Sequence, residues 1–241
     1  LCEQAGARRT LRLDGRLEEL LHVAVKQFTD PTGHIRYAIL RTSGEVPWVA
    51  CRLRWLGPET ACYDVLGGEA RGPAPALGTD TPFVFRPGEG HLLAFTAAPV
   101  KRVHVTAAAP RSIAGQPLTL TVQILDEADR PVPGSFPCEL RVSCDGREIA
   151  GLARSFSAPS GQSVTLQTAT SDPGGSWTVR VRDGITGLEG VAAIDVSPAP
   201  AEPQGPGFVP WGWPSEVEEP GLMPSDQFVS QLQKLSRLYL T

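Results

Sequence analysis

The sequence contains no asparagine, and of its 22 basic residues only Lys26, Lys101 and Lys234 are lysine. Without asparagine there is no N-glycosylation sequon. Together with abundant Ala, Gly and Pro, the bias fits a GC-rich genome. A warm habitat is a second reading of the missing asparagine, but scarce lysine runs against it. A formal charge of −4 removes any general attraction to nucleic acid. No apolar run reaches about 18 residues, so no membrane-spanning helix is expected. The chain opens at Leu1 with no charged and apolar leader. That fits a signal peptide or a larger N-terminal region that has been removed or was never included.

Catalytic signatures are missing as well. There is no Gly-x-Ser-x-Gly elbow, no glycine-rich phosphate loop and no Cys-x-x-Cys or Cys/His ligand spacing. The turn Asp126-Glu127-Ala128-Asp129 lacks the calcium-loop spacing. The acids sit in turns or in the tail (Glu216, Glu218, Glu219), where carboxylates are normally solvated rather than paired for glycoside hydrolysis. The histidines His22, His34, His91 and His104 meet no acid or cysteine at a diagnostic spacing and read as surface residues. No catalytic residue, metal ligand or cofactor site is assigned.

Five cysteines leave at least one thiol unpaired. Cys138 and Cys144 face inward on one expected strand, roughly 20 Å apart, and cannot bridge each other. Cys51 and Cys62 flank the turn Gly57-Pro58-Glu59-Thr60. A hairpin there sets Cys62 opposite Trp55 and Cys51 opposite Leu66, again without a bridge. The cysteines read as small buried hydrophobes.

What the chain does have is alternation. Leu118-Thr119-Leu120-Thr121-Val122-Gln123-Ile124 and Trp177-Thr178-Val179-Arg180-Val181-Arg182 switch between apolar and polar at every step. That period turns one face of a strand to a core and the other to water. The expected class is all-β, two antiparallel β-sandwiches. Strands are expected at 8–13, 21–28, 35–42, 48–56, 61–66, 83–85 and 91–96, forming a meander or small sandwich over 1–99, with 71–82 a loop. Ala97-Ala98-Pro99 reads as a short hinge. Strands at 100–107, 118–126, 137–144, 147–152, 163–169, 176–183 and 190–197 then give an immunoglobulin-like sandwich over 100–197. Trp177 follows both inward cysteines rather than lying between them, so the antibody-type disulfide is not expected and Trp177 reads as a core plug.

Residues 198–224 form a Pro/Gly/Trp-rich linker. Phe208, Trp211 and Trp213 fall within six positions of it, in a segment with no core of its own. They fit two readings: a staple that fixes the tail to a sandwich, or a surface on which a sugar ring stacks. Residues 225–241 hold the one expected helix, with Ser225 as N-cap and Asp226 in the first turn. Phe228, Leu232, Leu235 and Tyr239 make its apolar stripe, which needs a surface to pack on.

Tyr63-Asp64-Val65-Leu66-Gly67-Gly68, the turn at 83–90 and His91-Leu92-Leu93-Ala94-Phe95 resemble the closing sheet in C-terminal domains of bacterial glycoside hydrolases. Val25-Lys26-Gln27-Phe28 and Arg36-Tyr37-Ala38-Ile39-Leu40 fit that domain's earlier strands. Gly115-Gln116-Pro117-Leu118 and Pro173-Gly174-Gly175-Ser176-Trp177-Thr178-Val179 are similar to immunoglobulin-like or macroglobulin-like repeats of large secreted bacterial proteins. The resemblance covers about residues 20–197. It implies a non-catalytic accessory region at the cell surface or outside the cell, with the catalytic carboxylates in a preceding barrel. The implied partners are other domains of a larger protein, neighbouring subunits met through the tail, or carbohydrate. A structural subunit of a surface assembly, joined through that tail, is the alternative.

Overall fold

The computed structural model describes residues 10–45, 48–66, 80–159 and 161–200. The expected linker and helix, with Phe208, Trp211, Trp213, Phe228, Leu232, Leu235 and Tyr239, lie outside the described residues.

Two sheets face each other in the first sandwich. One is β1(Leu11–Gly15), β4(Val49–Trp55) and β6(Asp80–Phe85), in the order β1-β4-β6. The other is β2(Val23–Thr29), β3(Arg36–Thr42), β7(Gly90–Thr96) and β5(Ala61–Asp64), in the order β2-β3-β7-β5. All these pairings are antiparallel. A one-turn helix, α1(Leu17–Leu20), joins β1 to β2. The alternation in β4 is complete: Val49, Cys51, Leu53 and Trp55 are buried, while Ala50, Arg52 and Arg54 are exposed. Trp55 stacks on Phe95 of the opposite sheet at 3.8 Å between ring centroids.

The second sandwich sets β8(Arg102–Ala107), β10(Leu118–Leu125) and β14(Gln162–Leu166), ordered β14-β10-β8, against a larger sheet. That sheet runs β12-β11-β15-β16-β9, from β12(Arg147–Glu148), β11(Ser135–Cys144), β15(Gly175–Asp183), β16(Glu189–Ser197) and β9(Arg111–Ile113). A further strand, β13(Arg154–Pro159), also pairs with β11. The chain changes sheets between β8 and β9, and β9 runs parallel to β16. Trp177 is fully buried, and its indole N–H donates to the Pro173 carbonyl at 2.8 Å. The core plug is confirmed.

Several expectations are corrected. The expected hairpin across Gly57-Pro58 does not form, because β4 and β5 belong to opposite sheets. Glu59 explains the crossing. Its buried carboxylate accepts from the Trp55 indole N–H and from Arg36 Nε, both at 2.9 Å, which folds the turn over the end of the core. A Cβ at Gly57 would lie 2.3 Å from Glu59 Oε2, so the turn has room only for glycine. Cys51 therefore pairs with Phe83, and Cys62 with Phe95. The expected strand over 147–152 ends at Glu148; a 3-10 turn, Ala150–Leu152, follows, then the unforeseen β13. Strand β6 begins within the expected loop. Strand β9 and helix α1 were not expected: each is too short to show a period.

Candidate functional site

The expected hinge is where the two sandwiches join. The Thr60 hydroxyl donates to the Ala97 carbonyl and the Thr96 hydroxyl to the Ala98 carbonyl, both at 2.8 Å. The Val100 N–H donates to the buried Tyr63 hydroxyl oxygen at 2.8 Å. These bonds pin the segment. A second tie between the sandwiches is Asp30, at the turn between β2 and β3. One carboxylate oxygen accepts from the His34 and Ile35 N–H groups, at 2.9 and 2.8 Å. The other accepts from the Thr32 N–H and hydroxyl and, at 2.8 Å, from the N–H of Ser135 in the second sandwich. Burial raises the Asp30 pKa, but the bonds from Thr32, Ile35 and Ser135 outweigh it and hold the carboxyl below its ordinary value.

Apolar packing completes the seam. Ile35, Ala61, Tyr63 and Ala94 of the first sandwich are buried in the same cluster as Phe136, Leu140 and Trp177 of the second. Ile35 sits against Gly134, which has φ +131; a Cβ there would stand 2.3 Å from Ile35 Cγ1. Glycine is thus required twice at one position, by conformation and by space. Beside the seam, a cavity of about 140 Å³ is lined by Val65, Glu139, Arg182 and the turn from Asp183 to Gly187. Asp183 is buried and accepts from the Ile185 N–H and from the Thr186 N–H and hydroxyl. Its side chain closes its own turn.

The expectation of surface histidines fails at His91. Its side chain is only 15% exposed, and Nδ1 lies 2.7 Å from Asp64 Oδ2 on the neighbouring strand. On the other side, Nε2 lies 3.7 Å from Glu89 Oε1. The rings of Phe83 and Phe85 meet the imidazole at near-perpendicular angles, with centroids 4.7 and 5.3 Å away. Burial lowers the His91 pKa, but Asp64 and Glu89 raise it by more, and the net shift is upward. The two carboxylates bracket the ring and do not converge on one point. Nε2 has no hydrogen-bond partner among the described residues. The cluster ties β7 to β5 and to the turn before β7. Only strand register brings Asp64 and His91 together, so nothing in the linear sequence marks the pair.

Cys51, Cys62, Cys138 and Cys144 are buried free thiols, as expected of small hydrophobes. Burial pushes Cys51 up to about 11, and Cys62 and Cys138 up to about 12, which suppresses the nucleophilic thiolate. At the turn after β10, Asp126 accepts from the Ala128 and Arg130 N–H groups and from the Arg130 guanidinium. Among the described residues no group of three or more His, Cys, Asp or Glu is placed to hold a metal ion. No helix among them is long and apolar enough to cross a membrane.

No family model matches the chain, and no curated protein matches it. Solved structures similar to it include the adhesin InvE of Yersinia pseudotuberculosis, at 13% identity and a TM-score of 0.33, over 73% of this chain and 59% of that one. The chicken CNTN1 FN1–FN3 domains overlay at 11% identity and a TM-score of 0.29, over 73% of this chain and 65% of that one. A polysaccharide lyase overlays at 10% identity and a TM-score of 0.28, over 78% of this chain and 28% of that one. Likeness at this level carries no argument about fold or activity.

Proposed function

We propose that the chain is a non-catalytic, extracytoplasmic accessory module of a larger glycosidase-like or cell-surface protein, working by packing, spacing or carbohydrate contact. The observation that supports this most is the seam. A buried carboxylate of one sandwich accepts a backbone hydrogen bond from the other at 2.8 Å, and the surrounding apolar cluster contains residues of both. Two sandwiches locked this way keep what lies at either end at a fixed separation.

The test is a distance distribution between spin labels on exposed positions, Lys26 in the first sandwich and Arg147 in the second. A single narrow distance supports the spacer. A broad distribution, as two sandwiches on a free linker give, contradicts it.

A structural subunit joined to its neighbours through the tail is the second reading, favoured by Phe208, Trp211 and Trp213 clustering in a segment rich in Pro and Gly. It predicts an assembly whose mass, by light scattering, falls to that of one chain when Trp211 and Trp213 are both changed to Ala. Monomers before and after the change exclude it.

A further inference from the structure

The outward face of the sheet β1-β4-β6 is not uniform. At one end Arg12, Asp14, Arg52, Arg54 and Asp80 pair among themselves across the three strands, at 2.5 to 3.4 Å. Toward the other end the face changes character. Trp48 is 57% exposed and Val84 54% exposed. The strand positions between Trp48 and α1 carry Gly15 and Ala50, which leave a shallow cleft walled by Trp48 on one side and by Arg16 and Glu19 on the other.

The Arg86 guanidinium stands over the Trp48 ring at 6.0 Å from its centroid. Arg86 does not line the cleft. Across the cleft, Glu19 Oε1 lies 3.8 Å from Arg16 Nη1, and Glu19 Oε2 accepts the Ala50 N–H at 3.4 Å. A flat apolar ring, a donor and an acceptor thus line one cleft, and the other described residues that line it are the small Gly15 and Ala50.

We infer that this cleft binds one pyranose ring of a glycan, stacked on Trp48, with adjacent hydroxyls donating to Glu19 and accepting from Arg16. A sugar presents that combination: one face of C–H groups, and an edge of vicinal hydroxyls that both donate and accept. An apolar peptide offers no hydroxyls to the remaining donors of Arg16 and acceptors of Glu19, and a simple anion makes no use of the indole. The inference rests on the carbohydrate branch of the proposed function. It moves the contact from the tail tryptophans to the first sandwich.

The test is affinity electrophoresis of the full chain through gels containing xyloglucan, galactomannan, mixed-linkage β-glucan or polygalacturonate. Three chains are compared: the unchanged protein, Trp48→Ala, and the double change Trp211→Ala with Trp213→Ala. Trp48 is mostly exposed, so its removal leaves the core intact, and a melting curve for each variant confirms this. The expected result is retardation by at least one polymer that Trp48→Ala weakens by about tenfold or more and the tail variant keeps. Retardation by the neutral polymers alone, or by polygalacturonate alone, supports the site and separates a neutral pyranose from a uronate. Binding that survives Trp48→Ala but fails in the tail variant overturns the site and leaves the accessory reading standing. No retardation in any gel overturns the site and the carbohydrate branch together, while the spacer reading keeps its own distance test. A dimer of the unchanged protein that Trp48→Ala dissociates overturns the site in favour of a second copy as the occupant.

Discussion

The two sandwiches are held together in different ways. In the second, the inward residues of β11 and β15 form unbroken buried rows around Trp177. In the first, the sheets have three and four strands, and the edge strand β2 has six of its seven residues exposed. The first sandwich supplements its smaller core with polar ties, Glu59 at one turn and His91 with Asp64 and Glu89 at another. It also leans on its neighbour through Asp30, Ile35 and Tyr63. A small sandwich gains stability by sharing surface, and here that sharing also fixes its position.

The largest effect should come from the second core. Trp177→Ala leaves a cavity and an unpartnered Pro173 carbonyl, and should cost about 3–5 kcal/mol in denaturant unfolding. A cost below about 1 kcal/mol would show that the rows around it close without the indole. Next is the seam. Asp30→Ala strands several N–H donors, at about 1–3 kcal/mol for a buried one. Gly134→Ala forces strain and a clash with Ile35 at a similar cost of about 1–3 kcal/mol. Both should also broaden the distance between labels at Lys26 and Arg147. Trp177→Ala lowers stability without broadening that distance at temperatures where the protein stays folded.

The ionisable ties respond to pH in opposite senses. The His91 pKa is raised in the folded protein, so its contribution is full below the unfolded value of 6.5 and is lost as pH rises through the folded one. The stability gap between the protein and His91→Gln should shrink from pH 6 to pH 9. The Asp30 pKa is lowered, so its contribution is present above the ordinary value of 3.8 and is lost as pH falls through the folded one. Acid should therefore loosen the seam, whereas alkali weakens the first sandwich. The smallest change belongs to the exposed charges: Arg52→Ala should alter stability by about 0–1 kcal/mol, and less at high salt.

Strands whose two faces meet core and water were legible in the sequence. The rows in β4, β10 and β15 follow directly from alternation. The connections were not. Gly57-Pro58 is good turn chemistry, and it reads as a hairpin until Glu59 is seen to bond Trp55 and Arg36 over the end of the core. The seam was hidden for the same reason. Asp30-Pro31-Thr32-Gly33 looks like an ordinary turn, and the N–H that makes it a junction lies 105 residues further along. His91 opens a strand as a surface residue would, and only the pairing of β5 with β7 brings Asp64 to it. Trp48 opens an expected strand, yet its cleft depends on what α1 and the residue before it add. Single side chains that work across sheets leave no period.

The claim that two sandwiches act as one rigid body is tested most directly by scanning calorimetry of the full chain and of its Asp30→Ala variant. The account predicts one cooperative transition for the unchanged protein, with calorimetric and van't Hoff enthalpies equal. The variant should split it into two, the first sandwich melting earlier. Two separate transitions in the unchanged protein, unmoved by the loss of Asp30, would contradict it.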